Sequence, residues 1–234
     1  MRSSDRPNVA ADVAAFAFFD GAMHVLLVRR RYQPYESYWA LPGGRLHQDE
    51  TLEEAAERWL LEETGVSGVF MEQLATFSDL DRDPRGRAIS CAYLALVDAG
   101  RAQLAAGSDA REAAWRPVEP LLAEIDDGDG TMLAFDHDTI LGYARQRLAY
   151  KLEYQNVAWS LLPERFTMSE LRRVYEAGIG RAFEPNNFRR IALGWGVLAE
   201  DGERPTGGRP ATLYRFVERR PLILAESARY RRAT

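Results

Sequence analysis

The stretch from Gly44 to Val66, GRLHQDETLEEAAERWLLEETGV, leaves this chain little freedom in how it folds. It follows Trp39-Ala40-Leu41-Pro42-Gly43-Gly44, where two glycines after a proline make a tight loop whose backbone N–H groups lie open to an anion. Thr51 and Glu54 stand in the S/T-x-x-E relation of a capping box. A helix is therefore expected from Leu52, with Gly65 as its stop. Leu52, Ala55, Ala56, Trp59 and Leu60 recur at helical spacing as its buried stripe, with Glu53, Glu54, Glu57, Arg58, Glu62 and Glu63 around them. A Gly-rich turn feeding a carboxylate-studded helix suits magnesium and phosphate, because hard cations take carboxylate oxygens and bridge to phosphate oxygens. Acid content alone favours a surface helix with solvated glutamates.

The spacing decides between these readings. Glycine, five residues, glutamate, seven residues, then Arg-x-apolar-x-Glu-Glu-x-Gly-apolar resembles the Nudix box, and Gly44, Glu50, Arg58, Leu60, Glu62, Glu63, Gly65 and Val66 fall on it. One position departs: Trp59 stands where the family has a glutamate. In Nudix hydrolases that glutamate and the two that follow at i+3 and i+4 present one metal-binding face. The resemblance leaves Glu62 and Glu63 as residual catalytic candidates and as ligands for a weakly held magnesium ion, with no cofactor required. Loss of a positioned acid or base costs on the order of 10² to 10⁴ in rate. The expectation is a Nudix fold with little or no hydrolase activity. The alternative is that Trp59 is only a core residue and Glu50 takes the place of the missing acid.

At 234 residues the chain can bury roughly 70% of its unfolded surface in one domain or two. A single cysteine, Cys91, excludes an internal disulfide and a cysteine-based zinc site. No apolar run approaches the roughly 18 residues of a membrane span, and Met1 to Val9 lacks a signal-peptide core, so a cytoplasmic protein is expected. Charge is split along the chain. Residues 1–150 carry 15 basic and 25 acidic side chains, a net −10, whereas residues 151–234 carry 15 and 10, a net +5. An acidic front and a basic tail point to a second domain that meets a polyanion.

Ala11 to Phe19 and Met23 to Arg29 read as strands joined at Asp20-Gly21 by a type I′ turn. Arg29-Arg30-Arg31 ends the second strand, either as phosphate-attracting side chains or as a solvated strand end. Val69 to Phe77 and Ala88 to Val97 are further strands around DLDRDPRGR, a loop that is either self-paired at the surface or grips a pyrophosphate through Arg85 and Arg87. Ala113 to Arg116 reads as a short strand, and Pro120 to Glu124 opens a short helix. Asp126-Asp127-Gly128-Asp129-Gly130 reads as an exposed turn. Phe135-Asp136-His137-Asp138 opens a helix that keeps Leu141, Ala144, Leu148 and Leu152 on one face, with Asp136 read as its cap.

In the tail, Thr167-Met168-Ser169-Glu170 is a second capping box, opening a helix to about Ala177 that Gly178 and Gly180 break. Pro185 opens another helix, to about Leu193, with Phe188, Ile191 and Ala192 apolar. Two short helices around a glycine turn make a helix-turn-helix, and Asn186, Asn187, Arg189 and Arg190 have base-reading chemistry. Strands at Val197-Leu198 and Leu213 to Val217 flank a Gly-, Pro- and Arg-rich wing in which Arg204, Thr206 and Arg209 face the DNA backbone. Arg172 and Arg181 complete the expected DNA-binding set. An arginine-rich protein-interaction domain is the competing reading.

LPGG with its altered box, DPRGRAIS, FDHD, FTMSELRRVYEAGIGRAFEPNNFRR and GGRPATLYRF together resemble the Nudix-related transcriptional regulators of NAD metabolism. The resemblance implies an α+β fold: a Nudix-type mixed sheet sandwiched by helices over residues 1–150, then a winged helix-turn-helix over residues 151–234. It implies a homodimeric repressor of NAD biosynthesis or salvage genes, bound to a palindromic operator. An ADP-ribose-type effector would sit in the former catalytic cleft, met by Arg29, Trp39, Gly43, Gly44, Arg85 and Arg87. Two alternatives stay open: an active Nudix pyrophosphatase on ADP-ribose-like nucleotides, and a regulator on this scaffold that senses a sugar derivative.

Overall fold

In the computed structural model, described over residues 6–101, 112–127, 133–205, 207 and 210–224, the chain divides into two units. The first comprises residues 1–17, 24–97 and 101–144, and the second residues 18–23, 98–100 and 145–234.

The first unit is built on a mixed sheet of strands β1 (Asn8–Phe19), β2 (Ala22–Arg29), β3 (Trp39–Ala40), β4 (Gly43–Arg45), β5 (Phe70–Phe77), β6 (Ala88–Val97) and β7 (Ala113–Pro117). Its order is β3-β2-β1-β6-β5, with β4 also on β1 and β7 also on β2. β1 runs parallel to β6, and β5 antiparallel to it. Every residue from Ala11 to Ala17 is buried, so this strand is covered on both faces, and apart from Asp12 its sequence is a run of small and apolar residues rather than an alternation. Asp20 and Gly21 turn the chain between β1 and β2 at φ 50 and 77, the two positive angles that a type I′ turn needs.

Helix α1 (Leu52–Thr64) forms as its caps dictate: both halves of the Thr51–Glu54 box are made, and Gly65 closes it at φ 76. Ala55, Ala56 and Leu60 are buried, while Leu52 and Trp59 are only half-buried, a departure from the expected stripe. Helix α2 (Val118–Asp126) starts two residues before Pro120, and Gly128–Gly130 lie outside the described residues. Helix α3 (His137–Tyr154) begins in the first unit and ends in the second.

A buried ionic network ties three distant segments of the first unit together. Arg82 donates to both carboxylate oxygens of Asp136, at 2.9 and 2.7 Å, and lies 3.4 Å from Asp12 Oδ2. Asp12 also accepts from the Ser90 hydroxyl at 2.5 Å, and His137 Nε2 lies 3.7 Å from its other oxygen. His137 Nδ1 accepts the Leu41 N–H at 2.9 Å. Asp136, read from sequence as a helix cap, thus spends its carboxylate on Arg82. Burial opposes the charge of Arg82, and the Asp136 and Asp12 carboxylates more than offset it, so its pKa is raised. Burial also pushes the His137 pKa down, against the raising influence of Asp12 and Asp136. His137 is therefore neutral, as an Nδ1 acceptor must be.

The second unit folds around β8 (Phe166–Thr167), helices α4 (Met168–Ile179) and α5 (Pro185–Gly194), and β9 (Leu198–Arg204) and β10 (Ala211–Phe216), with β10 paired antiparallel between the other two strands. The strand at Phe166–Thr167 is not evident in the sequence, and β9 is longer than expected. The α4 box is made by Thr167 and Glu170, and Gly180 at φ 81 ends the helix. Gly178, expected to break α4, lies buried inside it. A Cβ there would sit 2.1 Å from Leu152 Cδ1 of α3. Arg145 of α3 donates to the carbonyls of Gly178 and Ala177 at 2.6 and 3.3 Å, satisfying acceptors that the helix end leaves free. The core of this unit is aromatic. The Tyr175 ring lies 5.0 Å from Trp195 and 5.6 Å from Phe188, and Phe166 lies 5.1 Å from Phe216.

Two outcomes follow for stability. Replacing Arg82 by methionine leaves the buried Asp12 and the half-buried Asp136 carboxylates without their cation, so chemical denaturation should show a loss of about 3–5 kcal/mol. Because His137 is neutral when folded and takes a proton near pH 6.5 when unfolded, stability falls as pH drops below about 6.5, by up to about 1.4 kcal/mol per pH unit. His137→Gln should flatten the denaturation midpoint between pH 6.5 and 5.

Candidate functional site: an arginine-lined cavity and an exposed helix

The first unit contains a cavity of about 500 Å³, bordered by β1, β2, the β3–β4 loop, α1, the 78–87 loop and the start of α3. That size suits a nucleotide-sized ligand. Six arginines line it, at 29, 30, 31, 45, 82 and 85, against the carboxylates of Asp12, Glu63 and Asp83. Its charge balance favours an anion.

The β3–β4 loop forms one wall because β4 pairs with β1 in the register Asp12↔Gly43 and Ala11↔Gly44. Gly43 has φ 155, and a Cβ on it would lie 2.4 Å from Asp12 Oδ1 and 2.5 Å from the Ala11 carbonyl. No other residue fits there. Gly44 meets the indole of Trp59 instead, with Cζ2 at 2.5 Å from where a Cβ would stand. Trp59 Nε1 donates to the Arg45 carbonyl at 3.2 Å, and the Arg58 guanidinium covers the ring at 4.6 Å. Trp59 is thus a wall of the cavity rather than a core residue.

The acids of the box each accept hydrogen bonds within the structure. Glu50 accepts two hydrogen bonds from Arg58, at 2.8 and 2.7 Å, which hold its pKa down at about 2, with a further bond from the His47 N–H. Glu62 is exposed and takes Arg58 Nη1 at 3.3 Å. Glu63 faces the cavity and accepts the Gly43 N–H at 2.9 Å. Magnesium, implied by the Nudix resemblance, needs a convergent set of oxygens. Among the described residues, no group of three or more histidine, cysteine or acidic side chains is placed to hold a metal. Trp59 stands where one oxygen donor would be. These residues do not fit the ion.

The effector residues expected from sequence divide. Arg29, Gly43, Gly44 and Arg85 line the cavity. Trp39 does not line it; it packs beside Arg29, whose guanidinium lies 6.0 Å from its ring. Arg87 is also absent from the lining and donates to the carbonyls of Ser78 and Asp79, at 2.6 and 3.2 Å. Asp12, Arg82, Phe135 and His137 are additional wall residues that the sequence reading did not select. The available signal was Asp12, a lone acid in an otherwise apolar strand.

The second unit carries the helix-turn-helix. In α5, Phe188 and Ala192 are buried while Asn186, Asn187, Arg189 and Arg190 are exposed. Glu184 caps the helix by accepting the Asn186 and Asn187 N–H groups at 3.0 and 2.6 Å, and Pro185 fills its first turn. Arg190 donates to Asn187 Oδ1 at 2.8 Å, and Arg189 lies over the Tyr214 ring at 5.6 Å. Exposed Arg181 lies over Phe183 at 4.9 Å. Arg172 is half-buried, bonded to Glu176 and the Phe183 carbonyl, and so holds the turn before α5. Arg204 pairs with Glu170 at 2.7 Å. Thr206 and Arg209 lie outside the described residues. Among the described residues no helix is long and apolar enough to cross a membrane.

Comparison with known proteins matches both units. Residues 9–135 match the NUDIX domain family, and residues 158–216 match the NrtR DNA-binding winged helix domain. The ADPR responsive transcriptional repressor NtrR of Acinetobacter baylyi is 38% identical over 222 residues, covering 92% of this chain and 85% of the relative. The crystal structure of Shewanella oneidensis NrtR complexed with a 27mer DNA superimposes with a TM-score of 0.77 at 34% identity, covering 89% of this chain and 93% of that one. The NUDIX domain of the same Shewanella protein, crystallised with ADP ribose, gives a TM-score of 0.54 at 31% identity over 62% of this chain and 90% of that one. The chain belongs to the NrtR family, in which a NUDIX domain is joined to a winged-helix DNA-binding domain.

Proposed function

We propose that this protein is a transcriptional repressor whose hold on operator DNA is set by ADP-ribose, or a related NAD-derived nucleotide, bound in the arginine-lined cavity of its NUDIX domain. The observation that carries this reading is the placement of Trp59. An indole replaces an acid of the box in the cavity wall, on a chain that also presents Asn186, Asn187, Arg189 and Arg190 on an exposed helix. A cleft that does not consume its ligand can report the ligand's concentration.

The chemistry of each part agrees. Guanidinium groups match phosphate oxygens in shape and charge, and the cavity offers six of them. On α5, arginine reads guanine and asparagine reads adenine through paired hydrogen bonds in the major groove. A homodimer on a palindromic operator would set its two recognition helices about 34 Å apart, or a multiple of that. An effector need contribute only about 1–3 kcal/mol of coupling to change operator affinity 5- to 150-fold. Genes of NAD biosynthesis or salvage are the targets that the family resemblance supplies.

Fluorescence anisotropy on fragments from upstream of the protein's own gene and its neighbours tests the reading directly. One fragment should win in a salt-sensitive manner, and ADP-ribose should shift its affinity. Arg189→Ala or Arg190→Ala should weaken that binding about tenfold or more, at about 1–3 kcal/mol per lost base contact, with ADP-ribose affinity unchanged. Unaltered DNA binding in both variants would remove α5 from the recognition role. Restoring the acid by Trp59→Glu should raise magnesium-dependent release of AMP from ADP-ribose by at least about 10²-fold over the wild type. A wild-type protein that already turns over at the rate of the variant would make it an enzyme.

A further inference from the structure

Arg189 and Arg190, neighbours on α5, differ in what they are free to do. Arg190 Nη2 donates to Asn187 Oδ1 at 2.8 Å. An asparagine that reads adenine needs its oxygen for the N6 amine and its NH₂ for N7, so in this pair the Asn187 oxygen is spent on Arg190. Arg189 keeps its donors open: among the described residues its guanidinium has no hydrogen-bond or ion-pair partner. It nevertheless has a support, since it lies 5.6 Å from the centre of the Tyr214 ring.

That ring is held by the sheet. Tyr214 is fully buried in β10, opposite Phe166 of β8 on one side and Glu200 of β9 on the other, and its hydroxyl donates to Glu200 Oε1 at 3.5 Å. Helix α5 is fixed as firmly, because Phe188 packs 5.6 Å from Tyr175 and 6.0 Å from Trp195. An exposed arginine samples many rotamers, and ordering it on binding weakens the complex. A ring face that attracts the guanidinium removes much of that freedom in advance, and the attraction grows when DNA excludes water from it.

We propose that Tyr214 is a positioning residue for operator recognition: its ring holds Arg189 with an unspent donor fork, ready for the paired O6 and N7 acceptors of a guanine. This rests on the reading of α5 as the recognition helix given above. It adds which arginine reads the base and what aims it. Arg190, with one amine committed to Asn187, keeps fewer donors for a base edge. The sheet that carries the wing thus contributes to specificity through a buried residue that does not itself touch DNA.

Fluorescence anisotropy of the full-length protein tests this, on its preferred fragment and on copies carrying 7-deazaguanine, which pairs normally but lacks N7, at single guanines. At one guanine the wild type should lose about fivefold or more, and Arg189→Ala less than about twofold. Tyr214→Leu should weaken binding to the natural fragment about fivefold and shrink the 7-deazaguanine penalty, whereas Tyr214→Phe, which keeps the ring, should restore both. Adding Tyr214→Leu to Arg189→Ala should cost less than about twofold, where a merely structural loss would persist in full. Should Tyr214→Leu lack a cooperative thermal transition, NMR of the wild type with labelled arginine reads the contact instead: the Arg189 δ-methylene protons, assigned with Arg189→Lys, should be shifted upfield by the ring. Additive losses in the double variant, a Tyr214→Phe as weak as Tyr214→Leu, or unshifted Arg189 protons would overturn the positioning role and leave α5 as the recognition helix. No preferred fragment at all would overturn the repressor reading, and this assignment with it.

Discussion

The first unit depends on one buried guanidinium. Arg82 reaches from the 78–87 loop to Asp136, at the start of α3, and to Asp12, in the middle of β1, so its bonds join segments 54 and 70 residues away. Burying three charges costs several kcal/mol per ion before their attraction returns any of it, and an apolar replacement of similar volume is often as stable. The gain is in position. The loop, the central strand and the helix start are fixed relative to one another at the cavity wall, with the Ser90 hydroxyl donating to Asp12 and His137 Nε2 3.7 Å from its other oxygen. Neutral His137 then holds the Leu41 N–H, which sets the loop that carries Gly43 and Gly44.

The same loop shows how one box serves a different end. Box positions 50, 62 and 63 retain their glutamates, but each is spent on structure: Glu50 and Glu62 on Arg58, Glu63 on the Gly43 N–H. Trp59 completes the change, since its indole fills the space in front of Gly44 and bonds to the Arg45 carbonyl. In this structure the box residues hold the β3–β4 loop in place.

Much of this was legible in the sequence because it is locally encoded. Capping boxes at Thr51 and Thr167, the Asp20-Gly21 turn and Pro185 at a helix start each act within about four residues, and the structure follows them. The departures have non-local causes. Gly178 reads as a helix breaker, but the helix continues because Leu152, from α3, packs against the space a side chain would take. Asp136 reads as a cap until a guanidinium 54 residues away engages it. Arg87 and Arg85 look alike in DPRGR, yet Arg87 bonds to two carbonyls and Arg85 turns to the cavity. Spacing gives the face of a helix. It does not give the direction of an arginine in a loop.

A repressor that senses a metabolite at equilibrium needs its ligand intact. If the cleft hydrolysed ADP-ribose, occupancy would be set by turnover as well as by concentration, and the coupling between effector and operator would lose the reciprocity that equilibrium linkage guarantees. On the proposed reading, an arginine-lined cavity keeps the positive charge that an anion needs without the reactive arrangement of a metal site. Arginine suits that role, since it remains charged when half-buried and donates in a fixed fork. On that reading, the substitution at Trp59 and the arginine lining are two parts of one change, from a site that acts on a nucleotide to one that reads it.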